Sequence, residues 1–182
     1  MDAIHTESYK GMTIKIHADE LAESPREWEN FGTMVCFHRR YDLGDKNGMS
    51  VQIAKEFVGR EDIISLPLYL YDHSGITMNT TGFSCPWDSG QVGFIYVTKE
   101  TVCKEYKVKR VSSKLRAKVL EYLRGEVKTY DDFITGNVYG YVVEDKDGKH
   151  VDSCWGFFGD YNGKDYSALK EAHSYVEAVQ AL

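Results

Sequence analysis

Apolar and polar positions change their period several times along this chain, and each change marks an element. Residues 12–17 (MTIKIH) alternate as a half-buried strand does, and 33–38 (TMVCFH) make a second such run that ends at Arg39-Arg40-Tyr41. Segment 43–48 (LGDKNG) has turn chemistry. Over 50–58 the apolar set Val51, Ile53, Ala54, Phe57 and Val58 shifts to helical spacing, and Gly59 follows as a stop. Runs 66–71 and 92–97 are rich in β-branched and aromatic residues and read as buried strands, with a short extended piece at 76–78 between them. Thr98 is placed to cap a short helix over 99–106, and Ser112 or Ser113 a longer one from about 114. In the longer helix Leu115, Val119, Tyr122 and Leu123 fall on one inward face. Gly125 is expected to end it, with a further turn around 129–134. Alternating runs 138–144 and 151–158 flank Asp147-Gly148, the strongest hairpin signal in the chain. A closing helix over 167–182 turns Leu169, Ala172, Val176 and Val179 inward. The resulting order, β-β-α-β-β-β-α-α-β-β-α, predicts an α+β fold: one domain over 1–182, its sheet mainly antiparallel with helices packed on one face.

Composition narrows this picture modestly. A chain of 182 residues suits one domain that buries roughly 70% of its unfolded surface. Hydrophobic content of 42% and charged content of 27% are ordinary for a globular protein. No apolar run approaches the ~20 residues of a membrane span, and the first residues lack the basic and apolar regions of a signal peptide. A cytoplasmic protein with no membrane partner is therefore expected. Cys36, Cys85, Cys103 and Cys154 form no CxxC pair and read as small buried hydrophobes rather than zinc ligands. In the acidic loop 19–30, Pro25 is suited to begin a short helical turn, and Trp28 with Phe31 is expected to anchor the loop.

Charge changes the picture more. The net charge is −6, yet segment 99–128 holds ten basic and four acidic residues, which leaves −12 for the rest. Lys104, Lys107, Lys109, Arg110, Lys114, Arg116 and Lys118 fall within fifteen positions that join one expected helix to the next. Clustered cations at a helix start suit phosphate contacts. A solvated helix face is the simpler alternative, and the division of charge is what favours nucleic-acid or partner binding.

Candidate chemistry concentrates in 66–97, where Asp72-His73-Ser74, Cys85-Pro86-Trp87 and Asp88-Ser89 lie in turns between strands. Acyl transfer from Cys85 with His73 as base requires the two within hydrogen-bond reach, and no nucleophile-elbow motif supports it. The carboxylates and hydroxyls more simply bond turn backbone. Asp72, His73, Cys85, Trp87 and Asp88 are therefore kept as a secondary site, with no catalytic residue assigned. Cys36, His38 and His73 lack metal-ligand spacing. Asp145-Lys146-Asp147-Gly148 resembles the start of a calcium loop, but Gly156 stands where the twelfth-position Glu belongs. No metal and no cofactor are expected. The glycines of VYGYVV and CWGFFGD sit inside strand patterns and point to bulges or close packing.

Three blocks, GTMVCFHRRYDLGD, LPLYLYDHSGITMNTTGFSCPWDSGQVGFIYVTKE and YGYVVEDKDGKHVDSCWGFFGD, cover 71 of the 182 residues. They resemble a family of small proteins carried by phages and mobile genetic elements of Gram-positive bacteria, and the chain's overall character is similar to the type II-A anti-CRISPR proteins. That resemblance implies a non-enzymatic anti-defence protein that binds the type II CRISPR Cas nuclease with its guide RNA and blocks target DNA binding or cleavage. Direct contact with double-stranded DNA and homo-oligomer formation both stay open. The alternative is a small-ligand binder for a nucleotide signal, or a hydrolase, that uses the 72–90 loops.

Overall fold

The computed structural model describes residues 2–45, 48–164 and 166–181. The turn expected at 43–48 therefore falls partly outside the described residues, at Lys46 and Asn47. In chain order the elements are strands β1 (His5–Tyr9), β2 (Met12–Ala18) and β3 (Thr33–Cys36), helix α1 (Val51–Val58), and strands β4 (Ile63–Asp72), β5 (Ile76–Asn79) and β6 (Ser89–Thr98). Helices α2 (Lys99–Glu105) and α3 (Ser113–Ile134), strands β7 (Val138–Glu144) and β8 (His150–Phe158), and helix α4 (Ala168–Gln180) follow. The α+β class and the antiparallel pairing are as expected. One strand, β1, carries no apolar alternation and escapes the pattern. It forms because Lys10 and Gly11, at φ of 48° and 81°, close a tight hairpin onto β2.

The strands divide into two four-stranded sheets, β1-β2-β7-β8 and β3-β6-β4-β5, where the sequence suggested one. Periodicity tells which face of a strand is buried but not which strand lies beside it. Here β2 pairs with β7 across the whole of residues 19–138. Two compact units result, one from Met1–Ser24 with Asp132–Leu182 and the other from Pro25–Asp131.

In the first unit the β2–β7 register sets Ile14 opposite Val143 and Ile16 opposite Tyr141. These side chains, with Phe157 of β8, meet Ala168, Leu169, Ala172 and Val176 on one face of α4. Each fully buried aliphatic side chain contributes about 1.5–3 kcal/mol. Ser167 caps α4 by accepting a bond from the Lys170 amide. The hairpin at Asp145–Gly148 forms as predicted, with Gly148 at φ 77°. At Gly140 the β7–β8 register slips and the Trp155 ring lies where a Cβ would stand, so this strand glycine does mark a bulge.

In the second unit the close β3–β6 approach requires Gly93, whose Cβ would fall 1.9 Å from the Val35 carbonyl oxygen. Pro67 is tolerated in β4 because β5 pairs only with Tyr69–Asp72, so that side of Pro67 has no ladder to complete. Ile95 and Tyr96 face opposite sides of β6. On one side Leu123 of α3 and Ile95 crowd Gly32; on the other Phe57 of α1 packs edge-on against Tyr96 with ring centroids 5.0 Å apart. Val51 and Ile53 were expected among the apolar positions of α1 but are exposed, whereas Ala54 is buried and Phe57 and Val58 are half-buried.

Three further expectations are corrected. Gly125 does not end α3, which runs on to Ile134. Its buried stripe of Val119, Leu123, Val127 and Tyr130 outweighs the roughly 1 kcal/mol that an internal glycine costs. Tyr122, expected inward, is 55% exposed. The cysteines, expected to be small buried hydrophobes, are half-buried at Cys36, Cys85 and Cys103 and exposed at Cys154; burial pushes the Cys36 thiol up to about 12.

One buried charge ties this unit together. The Arg26 side chain is only 4% exposed; it donates to both Asp45 oxygens at 2.8 Å, to Glu126 at 2.9 Å and to the Gly32 carbonyl at 2.7 Å. Glu126 also accepts the Phe31 and Gly32 amides, and Asp45 the Met34 amide. Burial works against the charge, but the bonds to Asp45 and Glu126 hold the guanidinium above its ordinary value.

Candidate functional site

The seven predicted cations lie where α2 hands over to α3, and the handover is built as the sequence implied. Thr98 caps α2 by accepting from the Thr101 amide at 3.0 Å, and Val102 anchors that short helix in the core. The chain leaves α2 through Lys107 at φ 51°, a left-handed conformation uncommon for a residue other than glycine. Ser112 then caps α3, its hydroxyl accepting from the Leu115 amide at 3.2 Å. Buried Val119 seats the first turns of α3 and turns Lys114 and Lys118 outward at i,i+4 spacing.

Lys104, Lys107, Lys109, Arg110, Lys114, Arg116 and Lys118 are all exposed. Among the described residues none of the seven has an ion-pair partner. Lys118 instead sets its Nζ over the Tyr106 ring, 5.0 Å from the centroid. By contrast Lys10, Lys15, Arg26, Arg40, Arg60 and Arg124 each hold a carboxylate. Exposed cations without internal salt bridges can meet phosphates without first breaking such bridges, with Lys114 and Lys118 on one side of α3 and Arg116 turned round the helix from them.

The secondary residues also come together. Asp72, Trp87 and Asp88 line an open cleft of about 530 Å³ with Phe37, His38, Arg39 and Arg40, at one end of the β3-β6-β4-β5 sheet. Asp72 is held by an ion pair with Arg40 and accepts from the Tyr41 hydroxyl at 3.2 Å. His38 stacks on Tyr41 with ring centroids 5.0 Å apart. Trp87 is 91% exposed. The geometry separates Cys85 from His73. The Cys85 thiol points at the Asp88 carboxylate at 3.6 Å, and His73 Nδ1 approaches that same carboxylate at 3.4 Å. The thiol and the imidazole thus both face the same Asp88 oxygen, whereas acyl transfer uses a direct hydrogen bond from nucleophile to base. Asp88 also closes the turn through its carbonyl, which accepts from the Asp72 amide at 2.8 Å.

Three features lay beyond the sequence reading. The Arg26 network has no local motif, because its partners are 19 and 100 positions away. Arg40 and Tyr41 reach Asp72 only once β3 and β4 flank β6. A third feature is an aromatic pocket where Phe31 meets Tyr106 and Tyr122 edge-on, at 6.3 Å and 5.6 Å between centroids. Among the described residues no group of three or more His, Cys, Asp or Glu side chains is placed to hold a metal ion, and no helix is long and apolar enough to cross a membrane. No protein-family model matches this chain, and no curated protein or solved structure matches it either.

Proposed function

We propose that the protein is a non-enzymatic inhibitor that binds a type II Cas effector nuclease carrying its guide RNA. On this reading the 104–118 surface engages nucleic acid of the complex and blocks target DNA binding or cleavage. The place of action is the cytoplasm of the host bacterium. One observation carries the binding part: seven exposed cations without carboxylate partners, on a chain of net charge −6. The nuclease as partner rests on the resemblance of the three sequence blocks. Size-exclusion chromatography of the protein mixed with guide-loaded nuclease tests it, with a variant carrying Lys107→Glu, Lys109→Glu, Arg110→Glu and Lys114→Glu alongside. Co-elution of the parent and loss of co-elution by the variant are expected. Separate elution of the parent ends the nuclease reading.

The open cleft beside Trp87 favours a second reading, a small-ligand binder for a nucleotide signal. An exposed indole offers a stacking face, and Arg39 offers a cation, Arg40 being paired with Asp72. The two readings separate on Cys85→Ser and His73→Ala. On the inhibitor reading both variants, correctly folded, retain nuclease inhibition; complete loss in a folded Cys85→Ser protein transfers the function to an enzyme that uses the 72–90 loops.

A further inference from the structure

A second pocket in residues 25–131 has a different chemistry from the cationic surface. It encloses about 320 Å³ and is lined by Glu29, Asn30, Phe31, Glu105, Tyr106 and Tyr122. Its walls are the rings of Phe31, Tyr106 and Tyr122, with Tyr122 55% exposed at the rim. Trp28, 49% exposed, lines an adjoining hollow that shares Glu29, Asn30 and Tyr122. The non-aromatic polar side chains of the pocket offer acceptors. Glu29 and Glu105 are exposed and have no ion-pair partner among the described residues. Asn30 spends its side-chain N–H groups on the Pro25 and Trp28 carbonyls at 2.9 Å and 2.8 Å, which leaves its Oδ1 to accept.

Aromatic faces attract cations through the ring quadrupole, and carboxylates at the rim add charge and directed acceptors. Anions and phosphates are repelled by the same rim. Lys118 shows the effect within the chain, since its ammonium already lies over Tyr106. A planar, donor-rich cation matches three rings and three acceptors better than a compact ammonium does, because a guanidinium both stacks and forks. We propose that this pocket receives an arginine side chain from a basic segment of a partner protein. The pocket therefore reads protein, next to a surface whose cations suit nucleic acid. It stands independently of the nuclease reading, since it rests on acceptors and rings rather than on the seven cations.

The probe is the blocked pentapeptide Gly-Gly-Arg-Gly-Gly, with its citrulline counterpart as the uncharged control. NMR titration of the full chain reads the Tyr106 and Tyr122 ring resonances. The arginine peptide is expected to shift both rings, and the citrulline peptide to bind at least about tenfold more weakly. Joint Glu29→Gln and Glu105→Gln, at exposed sites, is expected to weaken the arginine peptide about tenfold while duplex DNA binding is retained. Tyr122→Leu is expected to weaken it about two- to fivefold. Lys118→Met, which vacates the Tyr106 ring, is expected to strengthen arginine binding while weakening DNA binding. Unmoved ring resonances, equal binding of the citrulline peptide, or full affinity in the folded double-glutamine variant would each overturn the proposal. Loss of DNA binding alone, with the peptide shifts intact, counts against the cationic surface and leaves the pocket standing.

Discussion

Arg26 and the 104–118 run are both cationic and both belong to residues 25–131, yet the chain treats them in opposite ways. Arg26 is buried against two carboxylates and a carbonyl, and it organises three chain segments. The run is exposed and has no carboxylate partner among the described residues. Net charge alone hides this difference. A buried pair is hard to break because the survivor is left uncompensated out of water. An exposed cation is already hydrated, so removing it changes what the surface binds rather than whether the chain folds.

The sharpest way to break the comparison is to remove Arg26. Arg26→Met leaves Asp45 and Glu126 facing each other without their cation, and it should destabilise residues 25–131 by about 3–5 kcal/mol. Urea unfolding measures this, and a loss below ~1 kcal/mol would show that the network is structurally incidental. The matching change on the other side is charge reversal at Lys107, Lys109, Arg110 and Lys114. Unfolding should stay within about 0.5 kcal/mol of the parent. The log–log salt slope of duplex DNA binding should fall by roughly 3–4, at about 0.9 for each phosphate no longer neutralised. DNA titrations at several salt concentrations, with circular dichroism as the folding control, decide it. An unchanged slope returns the run to a solvated face.

A smaller effect is expected at Gly125, between these two regions of charge. No atom lies within 4 Å of where its Cβ would stand, and the residue is exposed in mid-helix. Gly125→Ala should therefore stabilise α3 by up to about 1 kcal/mol without touching the binding surface. A thermal melt with lower stability would mean that the exposed face is needed bare. The smallest effect concerns Asp145, a surface carboxylate that is nevertheless engaged. The Lys149 amide, then that of Asp147, donates to its Oδ1 at 2.9 Å, and these bonds hold the carboxyl below its usual range. Its contribution to the hairpin is thus complete above the ordinary carboxylate value of about 3.9 and fades as pH falls through the lower folded value. The Lys149 amide shift should follow that titration, and Asp145→Ala should remove it.

Legibility followed the range of the interaction. Caps at Thr98 and Ser112, the hairpin at Gly148 and the bulge at Gly140 are local, and short patterns announced them. The outward set of Lys114 and Lys118 was equally legible, because one buried neighbour, Val119, fixes the phase of the helix. Tyr122 misled because an aromatic at helical spacing reads as core, whereas Phe31 holds it at the rim of a pocket. Gly125 misled because its local cost was visible and the tertiary stripe that overrides it was not. Arg26 was silent for the same reason: its partner Glu126 is brought to it only by the packed fold.

The pairing of β2 with β7 has a consequence for how the chain comes to be folded. During synthesis β1 and β2 emerge well before β7 and until then form only a two-stranded hairpin, which is marginal in water. Residues 25–131 are contiguous and carry β3 to β6, α1, α2 and nearly all of α3, so they can fold while the remainder is still being made. Once folded, they replace a long flexible loop with a compact body, and the entropy cost of bringing Ala18 to Tyr139 is lowered accordingly. Assembly of the first unit then waits on β7, β8 and α4. A truncated chain that stops before β7 would leave Ile14 and Ile16 without their partners, and its exposed β2 edge would be a template for association with other chains.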